Sequence, residues 1–301
     1  MITQASIRLQ LAKDEAKEAS ETLTPPIHMD ISPSILIGTG IDLEEQQQVI
    51  QFHAVFILIL HRRRLHIETD NLGPHATDQQ KAKLQLRINV LTRRIDAWIT
   101  VQTLYIPGVA SLRAQATLQN DTIQKPQDIC LWMPSTLSRR VPCDTKLEET
   151  EWKLRTGQAH DALNELRQGL RSRSYMLRFK DRFLRGQGAN TRARNSLKAV
   201  DAKISASAAK YRAAHSALLA LSSLLRKVGW KNTLRPLEAH DIRPMTDGTD
   251  DLPSEGRRRL SWIWLVCGYG EGDTENDRDE GLQNGKLVHL AFTLKSNYWI
   301  S

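Results

Sequence analysis

The sequence predicts an all-α protein, an elongated helical bundle built on a long antiparallel coiled-coil hairpin, with Pro-rich linkers and a disordered C-terminal tail. Three observations carry this. Leu197, Ile204, Tyr211, Leu218 and Leu225 recur every seven residues, with Val200, Ser207, Ala214, Leu221 and Val228 three positions on; this is the seam of a coiled-coil helix. Leu84, Leu91, Trp98 and Tyr105 repeat at the same interval, with Ile88 and Ile95 between them. Finally, Gly186 and Gly188 interrupt two long helical patterns, which is where the chain can reverse.

Taken in order, residues 1–119 read as an N-terminal helical region. Ile2–Thr22 is charged and helix-favouring, and Pro25-Pro26 ends it. Ser32-Pro33-Ser34 should hold the next stretch extended, so a second helix is expected near Asp42. Asp78–Tyr105 is a third helix, stopped by Pro107-Gly108. Residues 120–145, with Pro126, Pro134 and Pro142, read as a linker.

Residues 146–229 form the predicted hairpin. Its first arm runs from about Lys146 to Leu184. Leu147 and Leu154 are seven apart, as are Leu163, Leu170, Leu177 and Leu184, with a slip of two residues between the sets. Its second arm runs from Thr191 to Val228, with Asn190 or Thr191 as the N-terminal cap and Gly229 as the C-terminal cap. Each arm of 35–40 residues would be roughly 50–60 Å long. A short segment follows at 230–267, and 268–301 is Gly/Asp/Glu-rich and reads as disordered.

Charge is concentrated at the hairpin's turn. Residues 167–194 hold nine Arg/Lys against one acid, Asp181, which equals the net +8 of the whole 301-residue chain. Such a block points to a polyanion. The residues assigned to phosphate contact are Arg178, Lys180, Arg182, Arg185, Arg192 and Arg194. Tyr175, Phe179 and Phe183 form one stripe at four-residue spacing; it suits base stacking or hairpin packing.

Other chemistries find little support. Gly186-Gln-Gly188 lacks the G-K-[ST] ending of a phosphate loop. The nine histidines include no HExxH and no Cys/His cluster, so neither a metal nor another cofactor is expected. The acidic pairs Glu44-Glu45, Glu148-Glu149 and Asp250-Asp251 are adjacent in sequence and do not share a helical face. No nucleophile–base arrangement is evident, so the reading is non-enzymatic, with no small-molecule substrate. The three cysteines, Cys130, Cys143 and Cys267, read as reduced intracellular thiols. The longest apolar run, Ala54–Leu60, is too short to span a bilayer, which takes about 20 residues, so no membrane partner is expected.

Several blocks, in order, resemble the C-terminal region of fungal KDZ-type (Kyakuja–Dileera–Zisupton) transposases. They are IDLEEQQ at 41–47, RRIDAWITVQTLYIPGVASLRA at 93–114, LWMPSTL at 131–137, RFKDRFLRGQGANTRARN at 178–195, KYRAAHSALLAL at 210–221, then GW, DIRPM and EGRRRLSWIW. The resemblance implies a DNA transposase lineage and residence in the nucleus, with a DDE-type, RNase H-like catalytic core upstream, so no catalytic residue carries over. It further implies a non-catalytic accessory role, in DNA-backbone contact. The alternatives are an oligomerisation scaffold, self-associating or binding other transposase subunits through the 197–228 seam, or a non-functional transposon remnant. Two segments depart from the family, VIQFHAVFILILHR at 49–62 and GKLVHLAFTLKSNYWIS at 285–301. Both read as intron-derived sequence.

Overall fold

The computed structural model describes residues 2–21, 27–67, 78–119, 125–137, 141–245 and 261–266; for 51–67, 78–81 and 83 it describes the helical backbone alone. The expected disordered tail and the 285–301 departure lie outside the described residues. Among those described, the fold is all-α, with no strand. The helices are α1 (Gln4–Glu21), α2 (Pro33–Ile67), α3 (Asp78–Tyr105), α4 (Val109–Gln119), α5 (Pro134–Leu137), α6 (Thr145–Phe183) and α7 (Gln187–Leu224). They belong to two compact units, each with its own core.

One unit holds described residues between 5 and 156, with 216–228. Its core joins Leu36, Ile37, Ile41 and Leu43 of α2 to Leu91, Ile95 and Trp98 of α3 and to Leu147 and Leu154 of α6. The α2 helix starts at Pro33, well before Asp42, and the physical reason is local. Proline suits the first helical position, the Ser32 carbonyl accepts from Leu36 N–H at 2.9 Å, and Glu15 of α1 accepts from both N–H and Oγ of Ser34 at 2.8 and 2.7 Å. Within the suspected insertion 49–62, the backbone continues α2, and Ile50 is buried in the core.

The stretch expected as a linker is packed. Leu131, Met133, Leu137 and Val141 are core residues. Two buried amides hold its backbone: Gln47 Nε2 donates to the carbonyls of Pro126 and Ile129, both at 2.9 Å, and Gln102 Nε2 to those of Leu131 and Trp132 at 2.9 and 2.8 Å. Proline content signalled irregular backbone correctly, but irregular backbone can be buried when its carbonyls find donors. Pro107-Gly108 ends α3 as expected, and the chain then turns into α4.

The other unit holds described residues 2–4, 157–215, 229–245 and 261–266, and it contains the turn of the hairpin. Helices α6 and α7 pack closely there and run antiparallel, since partner numbers fall on α7 as they rise on α6. Glu165 faces Ser207 and Lys210, Gly169 faces Ile204, and Arg173 faces Asp201. Gly169 permits the close approach, because a Cβ there would lie 2.8 Å from Ile204 Cγ1.

Three capping expectations need correction. The break is a single left-handed residue, Gly186 at φ 83°, and α7 begins at Gln187, so Gly188 lies inside its first turn. Asn190 and Thr191 are not caps: Asn190 donates from both N–H and Nδ2 to the Gly186 carbonyl, and Thr191 Oγ1 donates to that of Gln187. At its other end α7 stops at Leu224. Lys227 N–H bonds the Ser222 carbonyl at 3.1 Å around Arg226 at φ 53°, a Schellman-type closure. Gly229, at φ 83°, instead opens the 3-10 turn Trp230–Asn232.

Candidate nucleic-acid interface

The nine basic residues of 167–194 divide by their place on the hairpin. Arg167 is buried. Its Nε donates to the Ile263 carbonyl at 2.6 Å, its Nη2 to that of Val266 at 2.7 Å and its Nη1 to Asn164 Oδ1 at 2.9 Å. It therefore serves to dock the 261–266 segment on α6. The Arg171 guanidinium lies over the Trp264 ring, 5.5 Å from its centre, and Arg173 Nε pairs with Asp201 at 2.7 Å. Arg167 and Arg171 thus hold the 261–266 segment, and Arg173 ties α6 to α7.

The remaining six flank the turn. Arg178, Arg182, Arg185, Arg192 and Arg194 are exposed and Lys180 is half-buried. They lie within about 12 Å of Gly186 along either arm, at 1.5 Å per residue. The structure thus brings all six sequence-predicted residues to one end of one hairpin. Between 174 and 196 the six basic residues face one acid, Asp181. Lys180 and Arg182 also sit in the last turn of α6, where they offset the negative end of its dipole. The positive end of α7 lies beside it, so the two dipoles largely cancel and the field at the tip comes from side chains.

Below the tip the hairpin is covered. The Tyr211 hydroxyl donates to the Arg235 carbonyl at 2.6 Å and its ring meets Trp262 at 5.9 Å. Arg212 Nε donates to the Leu237 carbonyl at 3.0 Å, and His215 stacks at 5.2 Å on Trp230. Along the seam, Ile204, Tyr211, Ala214, Leu218 and Leu221 are all buried within the chain. By contrast, of residues 171–200 only Ala193 is buried. The tip is bare helix.

Its aromatic stripe is exposed at both ends and half-buried at Phe179. Phe183 is 66% exposed and Tyr175 42%, and the Phe179 and Phe183 rings lie 5.3 Å apart. On a helix of 3.6 residues per turn these three positions lie within about 40° of a common line. The heptad positions Leu177 and Leu184 lie about 140–160° away, and Arg178 and Arg182 border the stripe at about 60–100°.

Elsewhere the ionisable groups are engaged in structure. Arg155 bridges Glu44, through Nη2, and Glu151, through Nε at 3.1 Å, and Glu151 also accepts from Ser135 N–H and Oγ. This buried knot joins positions far apart in sequence, and no local motif announced it. Burial raises the Glu44 carboxyl, opposed by Arg155. The half-buried Cys143 thiol is pushed up to about 12, by burial first and then by Glu148, Glu151 and Asp144, so it is a poor nucleophile near neutral pH. Among the described residues no group of three or more His, Cys, Asp or Glu is placed to hold a metal ion, and no helix is long and apolar enough to cross a membrane. Comparison with protein-family models, curated proteins and solved structures gave no match.

Proposed function

We propose that this chain is a non-catalytic accessory region of a KDZ-like DNA transposase, acting in the nucleus, and that the α6–α7 tip is its contact to nucleic-acid phosphates. One observation carries the reading. Of the nine basic residues that give the chain its net charge, two are engaged by the 261–266 segment and one by Asp201, and the other six gather around the turn, five of them exposed. Six cations beside one carboxylate on bare helix form a phosphate-binding surface by charge alone. The sequence resemblance adds the identity of the polyanion. The scaffold alternative is weaker, because Ile204 and Leu218 of the seam it would use are already buried in this chain.

The test is fluorescence anisotropy of a labelled DNA duplex against the full chain, with Arg182, Arg185, Arg192 and Arg194 changed together to Glu. Binding that weakens steeply with salt and disappears in the variant is the expected result. Binding that survives the four reversals would overturn the assignment of the tip, and a chain that binds no DNA at low salt would overturn the reading as a whole.

A further inference from the structure

The charge reading leaves the aromatic stripe unexplained. Tyr175 and Phe183 are exposed at the two ends of the stripe and Phe179 between them is half-buried. Exposing the Tyr175 and Phe183 rings to water costs free energy, and they stand beside the densest positive charge in the chain.

We propose that the tip takes single-stranded nucleic acid, its bases stacked on the exposed Tyr175 and Phe183 rings of the stripe and its phosphates held by Arg178 and Arg182 along the edge. This rests on the phosphate-contact reading above and names its substrate class. Phenylalanine has no donor or acceptor, so it cannot read the base edges that a duplex groove presents. What it offers is a face, and base faces are available only where bases are unpaired. The stripe is about 12 Å long, two helical turns, with cations on one side and Lys180 on the other, so a strand can lay backbone and bases on neighbouring lines of one helix. A second copy of the stripe is a poor occupant, because pairing two tips would bring two sets of six cations together. An anionic lipid surface would satisfy the cations, but three rings on one short line give a narrow apolar face for burial at a bilayer interface.

The experiment compares an oligothymidylate with a duplex of equal length, using the full chain and its Phe183→Ala, Phe183→Trp and Tyr175→Ala/Phe183→Ala variants. Because both positions are largely exposed, thermal melting should be unchanged, and it is measured alongside. The single strand should bind more tightly than the duplex. Phe183→Ala should weaken single-strand binding about tenfold, within the range for loss of one stacked base, with duplex binding unchanged and the salt slope preserved. Phe183→Trp should restore it. Equal binding of both nucleic acids, with Phe183→Ala silent, would overturn this proposal and leave the phosphate reading standing. If neither nucleic acid binds, the phosphate reading fails as well. If phosphatidylserine vesicles bind in a Phe183-dependent manner while the strands do not, the surface is a lipid contact and the proposal is overturned.

Discussion

The salt dependence of DNA binding can count the cations that face the ligand. Each phosphate neutralised on a duplex contributes about −0.9 to the slope of log affinity against log salt. All nine basic residues of 167–194 acting together would give a slope of about −8.1. Arg167 is buried, Arg171 is engaged by the Trp264 ring and Arg173 by Asp201, so the slope should be no steeper than about −5.4. Raising salt fourfold, from about 50 to about 200 mM, should then weaken binding by about 2,000-fold rather than about 80,000-fold. Changing Arg182 and Arg185 to Gln should flatten the slope to about −3.6, leaving a loss of about 150-fold over the same interval. Arg173→Gln is the control: it removes an equal charge from the same window but one engaged by Asp201, and should leave the slope where it was. The measurement is anisotropy across a salt series for the three proteins. A slope that moves as much for Arg173→Gln as for a single tip arginine would refute the partition between structural and ligand-facing charges.

Three further outcomes follow from the packing. Arg155→Met should destabilise by about 3–5 kcal/mol in urea unfolding, because Glu151, whose side chain is 0% exposed, loses its buried counter-charge. Gly169→Ala should cost on the order of 1 kcal/mol despite alanine's better helix propensity, since its Cβ would meet Ile204 Cγ1 at 2.8 Å and over-packing outweighs the propensity gain; chemical denaturation checks this. Acidification should lower stability through His160 and His215. Burial holds both below the ordinary value of 6.5; Arg167 adds to this at His160, whereas a backbone bond with Leu234 opposes it at His215. Folding therefore favours their neutral forms. Above about pH 6.5 they contribute no pH dependence, and below it the unfolded chain takes up protons first and stability falls. Melting temperature should drop from pH 7.5 to 5.5, and less steeply in His160→Gln.

The heptad spacing located α3, α6 and α7 to within a few residues, because a seven-residue apolar repeat has few other physical solutions. The slip between Leu154 and Leu163 also had a meaning that spacing alone did not supply. Leu154 belongs to the core with α2 and α3, whereas Leu163 belongs to the unit with the turn, so α6 changes face where it changes core. What sequence missed was long-range. Nothing local marks Gln47 and Gln102 as donors to the carbonyls of the 126–132 stretch, Glu15 as the partner of Ser34, or Arg167 as the clamp on 261–266. Short-range rules also misplaced the caps: proline at 33 starts a helix once Ser32 and Glu15 satisfy the first turn, and the Schellman closure at Arg226 leaves Gly229 free to open the next turn. At the candidate site, spacing placed the six cations and the aromatic stripe on neighbouring lines of the hairpin, but it did not show that Tyr175 and Phe183 would be exposed and Phe179 half-buried.

The blocks that carry the family resemblance coincide with the packing knots. IDLEEQQ supplies Asp42 to Arg8, Glu44 to Arg155 and Gln47 to two carbonyls. KYRAAHSALLAL supplies Tyr211 and Arg212 to the 235–237 backbone, and the closing SWIW supplies rings against Tyr211 and Arg171. Those positions carry packing, so the case for nucleic-acid contact must rest on the tip itself. The charge distribution makes that case specific. Outside 167–194 the chain sums to zero, and at physiological ionic strength charges are screened beyond about 8 Å. At the tip six cations and one acid lie within a few helical turns of one another and can act together. Attraction of this kind raises the rate of encounter as well as the affinity, and it orients the encounter with Phe183 and Tyr175 facing the arriving strand. Charge and stacking are then separable in the kinetics: tip arginines should govern the association rate and its salt dependence, while Phe183 should govern how long the strand stays bound.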